Sequence, residues 1–269
     1  MPRLLILGLG YAASRIAAEA RACGWEVTGV RRQAAGEALS FDDPDLPARI
    51  RAADAVLSSV PPDPDLGGDP VLTRFGEALA GAKGRLLYLS STGVYGDTGG
   101  AWVDESAPVG AGRRTLRTAA DLGWQALGAT ILRLPGIYGP GRSALDQVRA
   151  GTARRIDRPG HRFSRIHVAD IAGATLAVLK TGAAGIFNVV DELPAEPRAV
   201  TEYACQLLSR PFPPLEPLEA AALSPMAQGF WSERRVVAGG RLRRLTGYRL
   251  RHPDYKAGLE AILVEETGR

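Results

Sequence analysis

The chain has 269 residues, of which 45% are hydrophobic and 23% charged, and its 33 lysines and arginines against 29 acidic residues leave a formal net charge of +4. These values exclude a disordered or fibrous chain, and a core of this size needs no disulfide or metal staple. The basic residues are scattered and no aromatics interleave with them, which points to an anionic small-molecule partner and away from nucleic acid.

Leu4-Leu5-Ile6-Leu7 runs into Gly8-Leu9-Gly10-Tyr11-Ala12-Ala13, and a helical pattern follows from Tyr11 to about Ala22. That is strand, tight turn, helix. Gly8 permits the backbone angles of the turn, and Gly10 lets a pyrophosphate approach the backbone. Ala13 fills the third small position, where helix and strand pack closely. A phosphate would rest on the amides opening the helix. The alternative is a βα turn without a ligand.

Glu26 to Val30 is a second strand ending at Arg31-Arg32, and Gly36 to Asp43 is a poor third. Ala53 to Val60 is a strand stopped by Pro61-Pro62, and the Pro-, Asp- and Gly-rich stretch 63–70 reads as loop. A helix over 71–82, a strand over 85–91, loop over 93–112, a helix over 113–127 and a strand over 130–134 follow. Helices are expected near 143–150, 168–179 and 255–265, with a late strand over 185–190. This alternation predicts an α/β fold, a Rossmann-like doubly wound parallel sheet with a small C-terminal substrate-side subdomain. The expected division is a dinucleotide-binding core over 1–140, then a mixed segment over 141–269 with late core elements at 165–191. Ligands in such sheets bind beyond the strands' carboxyl ends. Gly8, Gly10, Arg31, Val60, Pro61, Ser90, Ser91, Pro135 and Gly136 all follow strand ends, so they are expected on one edge.

Cys23 and Cys205 lie far apart, so no disulfide is expected, and His161, His167 and His252 match no zinc spacing, so no metal site is expected. The chain enters a strand at once without a signal-peptide pattern, and no apolar run could span a bilayer. The expectation is a cytoplasmic protein with no membrane partner.

Ser90-Ser91-Thr92-Gly93-Val94-Tyr95-Gly96 resembles the extended short-chain dehydrogenase/reductases, the epimerase and dehydratase family. Arg133 to Arg142, Arg165 to Ile171 and Phe187 to Asp191 match the same family in order, so with the N-terminal glycines the resemblance covers about residues 1–191. The tail, with Ser232 to Val236 and Leu245 to Tyr248, is similar to an atypical bacterial branch.

The resemblance implies a nicotinamide dinucleotide and assigns Ser91 to the reacting oxygen, the alternative being a turn cap. It places a Tyr-x-x-x-Lys pair on the helix reading Arg113 to Asp121, where aligning on Asp121 puts Arg117 at the lysine and Arg113 at the tyrosine. Arginine keeps its proton at neutral pH, so neither can do general acid–base work. Arg117 is left to hold the nicotinamide ribose and Arg113 to meet an anionic substrate. The alternative is a solvated helix with Arg117 and Asp121 as a surface ion pair.

Tyr138 is a further acid–base candidate, His167 is expected to be structural, and Asp170 is expected to cap its helix and pair with Arg165. Tyr11 is counted with the cofactor-binding set, with packing as the alternative.

NAD enzymes place a carboxylate at the end of the second strand, where this chain has Arg31 with Arg32 beside it. A guanidinium there grips a 2′-phosphate, so NADP is expected over NAD. The expected function is an oxidoreductase or epimerase-like enzyme on a small polar substrate, such as a nucleotide sugar or an anionic carbonyl compound. The alternative is a non-catalytic NADP-sensing regulatory or interaction protein. Relatives dimerise through helices like 71–82 and 113–127, so a homodimer is compatible with the resemblance.

Overall fold

The computed structural model describes residues 1–221, 223 and 225–268, so positions 222, 224 and 269 of the expected C-terminal part lie outside it. Strand β1 (Arg3–Leu7) runs through the middle of the main sheet. Its side chains alternate, with Leu4 and Ile6 in one hydrophobic cluster and Leu5 and Leu7 in another. Apolar residues on both faces are what a parallel sheet covered on both sides requires.

The remaining sheet strands are β2 (Glu26–Arg31), β3 (Leu39–Ser40), β4 (Ala55–Ser58), β5 (Arg85–Ser91), β6 (Thr130–Leu134) and β7 (Ile186–Asn188). All pairs are parallel, in the spatial order 7-6-5-4-1-2-3. The order reverses beside β1, which is where a doubly wound sheet opens its ligand crevice.

One face carries α1 (Tyr11–Ala22) and the helix Val168–Thr181. Alanines on α1 (Ala13, Ala17, Ala20) let the two approach closely. The other face carries α2 (Leu46–Ala52), α3 (Pro70–Ala80) and α4 (Thr115–Ala126), whose Ile50, Phe75 and Trp124 are buried there. Asp69 caps α3 by accepting from the Val71 and Leu72 amides at 2.8 and 3.1 Å, and it also accepts the Trp124 indole N–H at 2.9 Å, which ties α3 to α4.

A smaller third cluster, with Leu145, Val200, Ala204, Leu259 and Ile262, joins the helices Ala144–Arg149, Pro197–Leu207 and Tyr255–Thr267 beside the sheet's carboxyl edge. Short parallel pairings carry the late chain back over that edge: Arg165–His167 beside Gly136–Tyr138, and Val236–Val237 beside Trp102–Val103. Among the described residues no helix is long and apolar enough to cross a membrane.

Two expected elements shorten in ways that bear on the site, and one element is new. The third strand shrinks to Leu39–Ser40, paired with Val30 and Arg31. The helix expected over 113–127 begins at Thr115, leaving Arg113 outside it. Helix α2, seven residues long, was not expected, because two buried side chains in so short a stretch make no readable period.

Candidate functional site

Two cavities meet the turn between β1 and α1. Gly8 sits at φ +89°, and a Cβ there would lie 2.8 Å from a Val60 methyl, so both backbone and packing require glycine. Gly10 differs. Its φ is −92° and a Cβ would find nothing within 4 Å, so the fold itself does not call for glycine there. No side chain caps α1 at Gly10, and the first turn carries no acidic residue. The positive end of the helix dipole therefore faces open space. Ala13, 1% exposed, packs α1 onto the sheet.

The first cavity, about 460 Å³, is lined by Gly8, Arg31, Arg32, Val60 and Pro61, with Phe41 and the 62–66 loop completing it. It brings the two arginines at the end of β2 to the glycine turn from across the sheet edge. The residues fit a dinucleotide that carries a 2′-phosphate: an open glycine at an uncapped helix start, and two guanidinium groups lining the pocket beside it.

The second cavity, about 530 Å³, begins at Gly10 and Tyr11 and continues past Ser59, Ser90, Ser91 and Pro135. Ser91 Oγ accepts the Gly93 amide at 3.1 Å, so it is a turn cap that also faces the cavity, and among the described residues its own O–H has no acceptor and can donate. Tyr11 lines the cavity and donates to the Pro140 carbonyl at 3.0 Å, with the Arg142 guanidinium 5.8 Å from its ring centre. Arg113, Arg114 and Arg117 form the facing wall. Arg117 Nη1 donates to the buried Tyr88 hydroxyl at 3.1 Å, and burial pushes that phenol up to about 12.

The alternative reading, a surface pair of Arg117 with Asp121, is not what the described residues show. Asp121 is fully buried and takes the Arg133 guanidinium in a two-point contact at 2.8 and 3.1 Å, together with the Ser90 hydroxyl at 2.5 Å and the Gln125 amide at 2.6 Å. Arg133 also donates to Tyr95 Oη at 3.0 Å. The Tyr95 hydroxyl donates to Asn188 Oδ1 at 2.8 Å, and Asn188 Nδ2 donates to the Ala238 carbonyl at 3.0 Å. Tyr95 and Asn188 thus hold the site's floor from below.

Tyr138 lines a neighbouring cavity, of about 640 Å³, with Arg142 and Arg165. It does not line the cavity that Ser91 faces. Its buried hydroxyl donates to the Asp254 carbonyl at 3.2 Å, and burial raises its pKa well above the ordinary phenol value. Asp170 differs from expectation. The cap of its helix is the His167 ring, which accepts the Ala169 amide at 3.3 Å. Asp170 instead accepts the Tyr248 hydroxyl, the Arg251 and His252 amides and the His252 ring nitrogen at 2.6–3.0 Å. Arg165 donates to the Phe163 and Ala195 carbonyls. His167, Asp170 and His252 come within metal-binding reach, which their sequence spacing did not suggest. Every Asp170 oxygen already has partners, so the cluster reads as a clamp fastening the C-terminal segment to the sheet.

Sequence reasoning missed Arg114, Arg142, Glu233 and Arg235 in the cavity wall, along with Phe163 and Phe230. The doublets Arg113-Arg114 and Arg234-Arg235 were visible, but nothing local says that a segment some 120 residues later closes the same pocket.

Phe163 belongs to an aromatic cage with Phe230, Trp231 and His161, at ring-centre distances of 4.7–5.4 Å. Among the described residues, both His161 ring nitrogens are buried without a hydrogen-bond partner. Burial, then the Arg158 and Arg234 charges, holds this imidazole at about 4 instead of 6.5. Between those values the unfolded chain binds more protons here than the folded protein, so this group's contribution to stability falls as pH falls through that window. His161→Phe is expected to gain about 1–2 kcal/mol more at pH 5 than at pH 8. Urea unfolding at the two pH values measures this, and an equal change at both would refute it.

No family model matches the chain. A conserved protein of unknown function from Silicibacter pomeroyi superposes with a TM-score of 0.88 at 36% identity, covering 99% of each chain. A candidate NAD-dependent epimerase/dehydratase from Methylobacillus flagellatus gives a TM-score of 0.78 at 27% identity, again over 99% of each chain. The human epimerase family protein SDR39U1, solved with NADPH, shares the fold at 20% identity and a TM-score of 0.78, over 97% of this chain and 98% of that one.

Proposed function

We propose that the chain, which is similar to the extended short-chain dehydrogenase/reductases of the NAD-dependent epimerase/dehydratase family, is an NADP-preferring oxidoreductase or epimerase acting on a small polar substrate. One observation carries the reading. Gly10 is a glycine that the protein's own packing does not need, at an uncapped helix start, between a cavity holding two arginines and a cavity holding Ser91. A ligand's phosphate explains that glycine, and nothing else nearby does.

The coenzyme, when bound, supplies or accepts a hydride at a substrate carbon. This chain's residues do the rest. Gly8, Gly10 and Ala13 shape the turn, Tyr11, Val60, Pro61 and Pro135 wall the groove, and Arg31 with Arg32 receives the 2′-phosphate. Ser91 offers its free hydroxyl hydrogen to the reacting oxygen. Arg117, held by Tyr88, stands where it can steady the nicotinamide ribose, and Arg113 faces the substrate. A guanidinium offers donors only, so these two groups bind and orient.

Titration of the purified protein with NADPH and NADH tests the coenzyme site. NADPH is expected to bind about tenfold tighter or more, from at least one extra charge-assisted hydrogen bond. Uptake of neither would overturn the proposal. A hydride-transfer screen over sugar nucleotides and small carbonyl compounds tests the enzyme. The arginines at 113 and 117 favour one second reading, a coenzyme-dependent regulatory or interaction protein. Persistent silence of the screen with NADPH bound would select it.

A further inference from the structure

The second cavity carries more positive charge than a pyrophosphate at Gly10 accounts for. Five guanidinium groups line it, those of Arg113, Arg114, Arg117, Arg142 and Arg235, and Glu233 is the carboxylate among its described lining residues. Most of these cations have partners. Arg117 has Tyr88. Arg142 sits over the Tyr11 ring. Glu233, buried, uses Oε1 on the Arg113 amide at 3.1 Å and Oε2 on Arg235 Nη1 at 2.9 Å, and Arg235 also donates to the Gly96 carbonyl at 2.8 Å.

Arg114 is the exception. Its side chain lies across Gly93, with Cδ 2.8 Å and Nε 3.3 Å from where a Cβ on that glycine would be. Ser91 Oγ lies 3.2 Å from the same point, so the guanidinium stem and the serine oxygen are neighbours. Among the described residues the Arg114 guanidinium makes no hydrogen bond or ion pair, although it is half-buried. Burial first, then the charges of Arg113, Arg235 and Arg117, lower its pKa, and Glu233 only partly opposes them. A half-buried cation among cations, with its donors unused, is unfavourable unless an anion joins it.

We propose that Arg114, with Arg235 lining the same cavity, binds a compact oxoanion on the substrate, a phosphate or carboxylate close to the carbon that reacts, and leaves the Ser91 hydroxyl to the reacting oxygen. Glu233 is a positioning residue. It occupies the Arg113 amide and one edge of Arg235, and so leaves the Arg114 guanidinium, among the described residues of this wall, without a hydrogen bond, ion pair or ring contact. The inference deepens the proposed function and rests on it for the coenzyme's place at Gly10. It narrows the substrate to a small acid or phosphate ester whose anion lies in the cavity, next to Ser91.

The test uses the full chain saturated with NADPH, so that the Arg31 pocket is filled. Inorganic phosphate and malonate are titrated separately by calorimetry at constant ionic strength. The expected result is saturable binding of at least one. Arg114→Gln should weaken it about tenfold or more and Arg114→Lys less, while NADPH affinity changes less than twofold. Tighter phosphate would assign a phosphate ester and tighter malonate a carboxylic acid, and either ranking supports the site. Absence of both from the loaded wild type, or Arg114→Gln binding as well as wild type, overturns it. Loss of NADPH affinity in Arg114→Gln also overturns it, by giving the cluster to the coenzyme. If wild type takes up no NADPH yet binds phosphate in an Arg114-dependent way, the coenzyme reading fails and the oxoanion site stands.

Discussion

Asp121→Ala is expected to lower folding stability by about 3–5 kcal/mol, the cost of leaving a buried cation without its partner. Arg133 is 1% exposed, so little water can take the carboxylate's place. Ser90 and Gln125 lose their acceptor in the same stroke. A domain holds only about 5–15 kcal/mol in total, so the variant should sit near the edge of folding at 37 °C. Replacing both partners, Asp121→Leu with Arg133→Met, should cost clearly less, because no charge is stranded. Urea unfolding followed by circular dichroism measures both. A single-variant loss under about 1 kcal/mol would mean that water reaches Arg133 and that the network is not the closed one described here.

The second large effect concerns the coenzyme. Arg31→Ala with Arg32→Ala is expected to weaken NADPH about 10- to 100-fold and to change NADH less than about threefold. Each guanidinium contributes charge-assisted bonds of roughly 1.5–3 kcal/mol to a 2′-phosphate, and NADH has no such group. Both side chains are exposed, so salt should weaken the wild type's NADPH preference as well. Fluorescence titration of the two coenzymes at low and high salt reads all of this. A parallel loss for NADPH and NADH would show that the arginines serve the pyrophosphate or the pocket's shape, and the preference would need another source.

The half of the candidate site around the glycine turn was legible because its determinants are local. A strand, a glycine turn and a helix occupy consecutive residues, and the strand-end residues meet as soon as the strands lie parallel. The substrate half was only partly legible. Aligning the α4 region on Asp121 brought Arg113 and Arg117 to notice, yet the argument that spacing by four puts both on one helix face does not apply, since the helix starts at Thr115. Arg113 reaches the cavity through its contacts with Glu233 and its packing against Gly229, 2.7 Å from that glycine's Cβ position. A surface role for Asp121 stayed open as the alternative because helical periodicity cannot see a β6 arginine arriving from the neighbouring strand.

By itself the sequence determined the layering, the parallel order of the sheet and the pair of arginines at the end of β2, since alternating apolar strands and amphipathic helices of this length have few other ways to bury themselves. Only the tertiary structure decided which cations remain uncompensated. That depends on Glu233, Phe230 and Arg235 folding back over Ser91 and Arg114 from the far end of the chain. Electrostatic balance in a cavity is a sum over neighbours in space, and no window along the chain contains them all.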